Sequence, residues 1–587
     1  MERYKFFSFL TKTSKLFDRI DDKKQEGITK AMIKDGKKIA ARVVAILCLS
    51  GVVVGGAVYA NKTNLKDRIW LNQHVSIEDS MNGEDISEIN NAKAVSFWNL
   101  DYQQTVTNKI NKEVKNGDYT IENPLLVINP YGSNTCSVNV YFKAEEGATL
   151  EYEVSTSDYG TFKATAYTGE DGTLYQAQLL GFMPEEENTL TLTLTKDGNT
   201  IGTSTHTITM SAAASTLTKK LEYTDGESTQ ALENGLYVSF GHSKSFDANI
   251  YLYDNEGILR GELPVREYRS DRILFVDDCI LYSYGFNKIA KVNHLGQIVE
   301  TYKFSNEYEF HHDFIYDEGK ERLLMLASKP SDGTIEDLIL ELDLKTGETI
   351  ELVDMKDLMP ETYENAIKPE GKEQLDWIHI NALQLTDDGD ILLSSRETST
   401  IVCITDVDTE PKLNYLISDA SMWEGTAYED YVFTKEGDFT AQAGQYSITF
   451  MNEESAELPD GQYYMYMFNN NFAWSATRPE ITWENYEGVG TFANPAEHSQ
   501  YYQYLVDTNN KTFTLVKEFD VPYSAFVSSA ELLNGNYIIA SGSTSQYGEY
   551  DNDGTLIRHF EYKDNKYVYR VFKYGFENFY FAADSES

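Results

Sequence analysis

Asp387-Asp-Gly-Asp-Ile-Leu-Leu-Ser-Ser-Arg396 is an acidic turn followed at once by an apolar strand. Asp and Gly accept the backbone of a tight turn, and Ile-Leu-Leu suits a pleated, half-buried surface. The same unit recurs along the chain. Tyr316-Asp-Glu-Gly319 precedes Leu323-Leu-Met-Leu-Ala327, Pro459-Asp-Gly461 precedes Tyr463-Tyr-Met-Tyr-Met-Phe468, and Leu533-Asn-Gly-Asn536 precedes Tyr537-Ile-Ile539. The glycines at 319, 389, 461 and 535 stand about 70 residues apart, and two comparable units lie earlier, around 234–265 and 268–303. Six all-β units over residues 221–580 predict a six-bladed β-propeller, an arrangement that protects sheet edges from pairing with other chains. An irregular pair of large β-sandwiches is the alternative.

Upstream the pattern changes. Leu125-Leu-Val-Ile128, Ser137-Val-Asn-Val-Tyr-Phe142, Thr149-Leu-Glu-Tyr-Glu-Val154, Thr189-Leu-Thr-Leu-Thr-Leu194 and Thr205-His-Thr-Ile-Thr-Met210 are short apolar or alternating runs. Turns at Glu170-Asp-Gly172 and Lys196-Asp-Gly198 separate some of them. They predict a small Ig-like β-sandwich over 121–212, with Ser211–Thr216 as a linker to the larger region. Residues 61–120 are polar and mixed, and are expected to be a stalk with an amphipathic helix near Ala92–Val114.

Val43 to Ala60 is an uncharged, mostly apolar run of 18 residues, just long enough to cross a bilayer as a helix. Residues 1–42 carry a net charge of +6 ahead of it, which predicts a cytoplasmic N-terminus and an extracellular remainder anchored at the cell membrane. A cleaved secretory signal ending near Ala60 is the other reading. The whole chain has a formal charge of -43, so the part beyond the run carries -49. That field repels phosphate backbones and excludes nucleic acid as a partner. The cysteines at 48, 136, 279 and 403 are widely spaced and imply no disulfide framework and no structural zinc site. Oligomeric state is not legible.

Candidate chemistry follows from the repeat. The strand that opens each unit faces the centre of a propeller, and these strands carry His311-His312-Asp313, Trp377-Ile-His379-Ile-Asn381, Gly444-Gln445-Tyr446 and Val527-Ser528-Ser529. Arg396 ends the second strand of its unit. Three of only nine histidines occupy opening positions. Imidazoles, an amide, the Ser528 hydroxyl and a guanidinium form a donor-rich set suited to an oxyanion such as sulfate or phosphate. No carboxylate pair for glycoside hydrolysis is evident. Three histidines holding a metal is the competing possibility. There is no HExxH, however, and Asp313 is the one partnering carboxylate in view, so no metal and no cofactor is expected.

Together these residues resemble the bacterial aryl-sulfate sulfotransferase family. Trp377-Ile-His379-Ile-Asn381 with Ser394-Ser-Arg396, His311-His-Asp313, Gly444-Gln445 and Phe468-Asn-Asn470 carry the resemblance, and the segment from Asn123-Pro124 is similar to that family's N-terminal domain. The resemblance implies nucleotide-independent transfer of a sulfuryl group from an aryl sulfate ester to a phenol. It implies sulfate binding by His312 or His311, His379, Asn381 and Arg396. It also implies a nucleophilic histidine after Gly-Gln, where this sequence has Tyr446. A phenol, with an ordinary pKa near 10, needs a neighbouring base or cation to attack. With Tyr446, His379 and Arg396 as catalytic candidates, three outcomes are open. They are a tyrosine sulfate intermediate, direct transfer between two bound phenols, or a propeller that binds sulfated or aromatic ligands, or a protein partner, without turnover.

Overall fold

The computed structural model describes residues 76–77 and 97–583, apart from 170–171, 214–217, 242–248, 268, 482–485, 487 and 563–566. The chain is all-β over this range. The run 43–60 lies outside the described residues, and among those described no helix is long and apolar enough to cross a membrane.

The N-terminal part is an Ig-like pair of four-stranded sheets. One contains Ser76–Ile77, Leu125–Ile128, Val138–Lys143 and Leu174–Leu179; the other contains Gly160–Thr165, Thr149–Thr156, Glu187–Lys196 and Asn199–Thr209. Alternation explains the packing. In Glu187–Lys196 the leucines 190, 192 and 194 are buried while the threonines between them face outward. Each such leucine contributes roughly 1.5–3 kcal/mol through removal from water.

The expected stalk is corrected from residue 97 onward, because that stretch is packed rather than free-standing. Leu100–Asn116 is a helix capped by Asn99, whose side chain accepts from the Tyr102 N–H at 3.1 Å. Its buried stripe is Tyr102, Val106, Ile110 and Val114, at helical spacing. Buried Gln103 ties three segments together. Its amide donates to the carbonyls of Phe97 (2.6 Å) and Tyr131 (2.9 Å), and its oxygen accepts from the Ile298 N–H (3.1 Å). Gln103→Ala leaves buried backbone groups unpaired and is expected to cost about 1–3 kcal/mol. A denaturation midpoint equal to wild type would contradict this.

Residues 222–574 form six sheets in sequence, antiparallel except that Thr434–Glu436 runs parallel to Thr512–Pro522 at the edge of the fifth. The opening strands of the second to sixth are Ile273–Val276, Glu309–Asp317, Ile380–Leu385, Tyr446–Met451 and Ser528–Leu533. The turns between first and second strands carry the glycines read from sequence. At Leu533-Asn-Gly-Asn536, Asn534 (φ 49°) and Gly535 (φ 95°) both take positive φ, as a two-residue hairpin with right-handed twist requires. The two ends of this region exchange partners. Glu222–Asp225 is the outer strand of the sixth sheet, and Arg570–Tyr574 pairs with Leu236–Phe240 in the first.

Contact passes from each opening strand to the next. Arg272 pairs with Asp313 at 2.9 Å, and the His312 and His379 rings lie 5.0 Å apart. Asn381 donates to the Gln445 carbonyl (3.0 Å), Ser447 to that of Ala530 (3.3 Å) and Ser529 to that of Val571 (2.9 Å). Finally the Tyr574 hydroxyl donates to the Ile273 carbonyl (3.4 Å), returning to the start.

Candidate active site

The opening strands are irregular where the sequence places its candidates. Register shifts fall between Phe310 and Phe314, between Ile380 and Ala382, and between Tyr446 and Thr449. His312 (φ 59°) and His379 (φ 49°) sit in the left-handed region, as does Ser447 (φ 54°) after Tyr446. Left-handed backbone at a non-glycine residue costs of order 1–3 kcal/mol and persists where the surroundings enforce it. Such bulges re-aim side chains. Gly444 is fixed by space: a Cβ there would meet the Phe472 carbonyl oxygen at 2.5 Å, and its φ is 63°. Gln445 is a buried strap whose amide donates to Ser394 Oγ and to the carbonyls of Ser395 and Thr400 at 3.1–3.2 Å. Gly-Gln therefore positions Tyr446.

His312, His379 and Tyr446 converge. The His312 ring centroid is 5.0 Å from that of His379 and 6.0 Å from that of Tyr446. The Tyr446 hydroxyl is 3.4 Å from His379 Nε2 and is buried. On its other nitrogen, His379 Nδ1 meets Asp376 Oδ2 at 2.8 Å and also contacts the Glu336 carboxylate. Arg396 joins through the same carboxylate, its Nη2 being 3.3 Å from Asp376 Oδ2 and 2.9 Å from Glu397 Oε1. His311 stacks edge-on against His312 with centroids 5.1 Å apart.

Two predicted residues hold the frame instead. Asn381 spends an N–H on the Gln445 carbonyl, while its backbone oxygen accepts from Arg570 (2.9 Å). Ser528 is fully buried with its hydroxyl on Asn470 Oδ1 at 3.3 Å. Asp313, read as the companion of the histidines, is held by Arg272 (2.9 Å) and Arg570 (3.0 Å), and their charges keep its carboxyl below the usual range despite burial.

The sequence reading missed Glu336, Asp376, Tyr569 and Arg269. Asp376, three residues before His379, was the most accessible of these. Glu336 lies in a loop without any motif. Tyr569 stands 2.5 Å from His312 Nδ1 through its hydroxyl, with the Arg269 guanidinium 3.6 Å over its ring.

Burial divides the imidazoles. It pushes His311 and His312 down to about 4, so both are neutral at pH 7. For His379, burial and Arg396 oppose the charged form, but Asp376 and Glu336 outweigh them and hold its pKa well above the ordinary value. Burial also opposes charge on Glu336, yet His379 and His312 hold its carboxyl well below the usual range. The result is an imidazolium–carboxylate pair beside two neutral imidazoles and the Tyr446 side chain.

Away from this cluster, burial lifts the Glu531 carboxyl to about 8 despite a 2.7 Å bond from the Lys573 N–H. A carboxyl whose pKa is higher folded than unfolded binds its proton more tightly in the fold, so stability falls as pH rises from about 4.5 towards 8. Glu531→Gln is expected to flatten that slope and raise the melting temperature at pH 8, with little change at pH 4. Parallel profiles for variant and wild type would count against it.

An Ig-like domain ahead of six mainly antiparallel sheets, with polar and titratable side chains gathered on their opening strands, defines an all-β protein with one polar centre. The model of the arylsulfotransferase (ASST) family matches residues 222–577, and that of the arylsulfotransferase Ig-like domain matches residues 125–213. The chain belongs to the arylsulfotransferase family. Membership supports an aryl-sulfate sulfotransferase activity in general. No curated protein matches the chain. Similar solved structures include a protein of unknown function from Bacteroides caccae (11% identity, covering 58% of this chain and 98% of that one, TM-score 0.34). They also include a putative 6-phosphogluconolactonase from Bacteroides fragilis (11%, 72% and 97%, 0.32) and a streptogramin B lyase (13%, 59% and 89%, 0.31). Likenesses this slight decide nothing about this chain.

Proposed function

We propose that the six sheets are the blades of a propeller and that its centre transfers sulfuryl groups between phenols through Tyr446. The circuit of contacts between opening strands supports the architecture. One observation carries the chemistry: the Tyr446 hydroxyl lies 3.4 Å from His379 Nε2, whose Nδ1 is held by two carboxylates. An imidazolium held by carboxylates next to a hydroxyl can protonate a leaving oxygen and then take up the hydroxyl proton, so the one residue serves leaving group and nucleophile in turn.

In the first half-reaction the Tyr446 oxygen forms a bond to sulfur as the aryl oxygen–sulfur bond breaks. The His379 imidazolium gives its Nε2 proton to the departing aryl oxygen and takes the tyrosine proton in its place. The products are a free phenol and Tyr446 as its sulfate ester. In the second half an acceptor phenol attacks that ester, loses its proton by way of His379, and leaves sulfated, restoring Tyr446. Arg396 and the imidazolium of His379 stabilise charge on the sulfuryl oxygens. Both esters are aryl sulfates, so the exchange is close to thermoneutral and needs no nucleotide donor.

Incubation with a chromogenic aryl sulfate and a phenol tests this. Wild type is expected to release the chromogen and sulfate the phenol, with Arg396→Ala reduced by about 10²–10³-fold. Tight ligand binding without turnover would favour the binding-module alternative. In the same reading, residues 43–60 anchor the chain in the cell membrane with the catalytic part outside. Protease accessibility on intact cells checks this, and full protection would contradict it.

A further inference from the structure

In the sequence Asp313 is the one carboxylate beside the histidines, and two arginines, Arg272 and Arg570, take it. The fold brings another, Glu336, from a loop with no motif. We infer that His311, His312 and Glu336 form a binding site for one divalent transition ion of the zinc class. This inference stands independently of the sulfuryl-transfer reading.

Adjacent residues of a regular strand point to opposite faces, so His311 and His312 would ordinarily diverge. The left-handed backbone of His312 (φ 59°) inside a register shift removes that alternation. The ligating atoms of His311, His312 and Glu336 all lie within 4.8 Å of one another. His312 Nε2 is 3.3 Å from Glu336 Oε2. Ligand bonds of about 2.0–2.1 Å in a tetrahedron set ligand atoms roughly 3.4 Å apart. The second carboxylate group, Glu336 with Asp376 and His379, is the weaker candidate, because His379 Nδ1 and Asp376 Oδ2 at 2.8 Å are at hydrogen-bond separation.

His311 supplies the independent observation. It is 8% exposed, and neither ring nitrogen makes a hydrogen bond of good geometry, although the Ala327 backbone lies near the ring. An orphaned buried donor or acceptor costs about 1–3 kcal/mol, and an ion would satisfy it.

The supports are those that a metal site needs. His312 Nδ1 meets the Tyr569 hydroxyl at 2.5 Å; with that hydroxyl donating to the His312 carbonyl (3.5 Å), Nδ1 donates and Nε2 keeps its lone pair for an ion. Glu336 is itself left-handed (φ 60°) and pinned on both sides. Its N–H donates to Ser328 Oγ (2.8 Å) and its carbonyl accepts from the Ile380 N–H (3.0 Å). The next residue, Asp337, accepts from Trp377 Nε1 at 3.0 Å. Two imidazoles and a carboxylate are a familiar set for zinc, iron(II) or manganese(II), and three protein ligands leave a position for water or an oxygen of a bound ester.

The test uses the full chain, stripped with a chelator and titrated with zinc chloride or cobalt(II) chloride by calorimetry. Elemental analysis follows gel filtration, and the visible bands of bound cobalt report its coordination. Expected are one retained equivalent and four-coordinate cobalt bands. His311→Gln and Glu336→Gln should each weaken binding by at least about 100-fold, while His498→Gln, at an exposed histidine, leaves it unchanged. Melting curves confirm that each variant folds. Retention well below one equivalent in wild type, or equal affinity in folded His311→Gln and wild type, overturns the site. Aryl transfer is read in parallel. Transfer persisting in protein that takes up no metal sinks this inference alone. One bound equivalent without transfer sinks the sulfuryl reading alone.

Discussion

With Tyr446 replaced by phenylalanine, sulfuryl transfer from an aryl sulfate to a phenol is expected to fall by at least about 10³-fold, the scale of losing a nucleophile. The substitution removes one oxygen from a buried ring and leaves the packing, so the melting temperature should barely move. The affinity for an unreactive aryl sulfonate should also persist, because Arg396 and His379 remain. Wild type quenched during turnover should carry a mass increment on the peptide containing Tyr446, and the variant none. Unchanged transfer by Tyr446→Phe would remove the tyrosine ester and leave direct transfer between two bound phenols.

The second large effect concerns the frame. Arg570 and Asp313 are both fully buried and 3.0 Å apart, and Arg570 also holds the Asn381 carbonyl. Breaking a buried pair by removing one partner costs about 3–5 kcal/mol, since the surviving charge stays out of water. Arg570→Met is therefore expected to lower stability by that amount in a denaturant titration. Arg272 still faces Asp313, so some of the loss is cushioned. Adding Asp313→Asn to Arg570→Met should recover part of the deficit. Strict additivity of the two changes would show that the pair is not coupled.

Much of this fold is visible in local chemistry. Leu533-Asn-Gly-Asn536 dictates its own hairpin, and Asp387–Asp390 announces the strand that follows. Those signals correctly place the opening strands beginning at Glu309, Ile380, Tyr446 and Ser528. Exchange between the ends is not visible. Glu222–Asp225 is exposed throughout and lacks an apolar face, so nothing local marks it as a strand. The site divides the same way. Histidines on opening strands can be picked out from repeat phase. Glu336 cannot, because its position depends on a left-handed loop residue locked by Ser328 and Ile380. Asp313 misleads for a related reason. The register shift around His312 breaks the simple alternation, and Asp313 goes to two arginines instead of the imidazoles.

The exchange of end strands bears on how the chain acquires its shape as it is made. The first sheet lacks its opening strand until Arg570–Tyr574 emerges, more than 300 residues after Leu236–Phe240, its hydrogen-bonded neighbour. Five units can assemble in order during synthesis, but the last joint waits for Arg570–Tyr574. Until then Leu236–Phe240, whose five residues are all buried in the finished fold, presents a bare edge that invites pairing with another chain. A nascent chain stalled before residue 570 is thus in its most aggregation-prone condition. Assembly should be limited by this late, long-range closure rather than by the formation of any single hairpin.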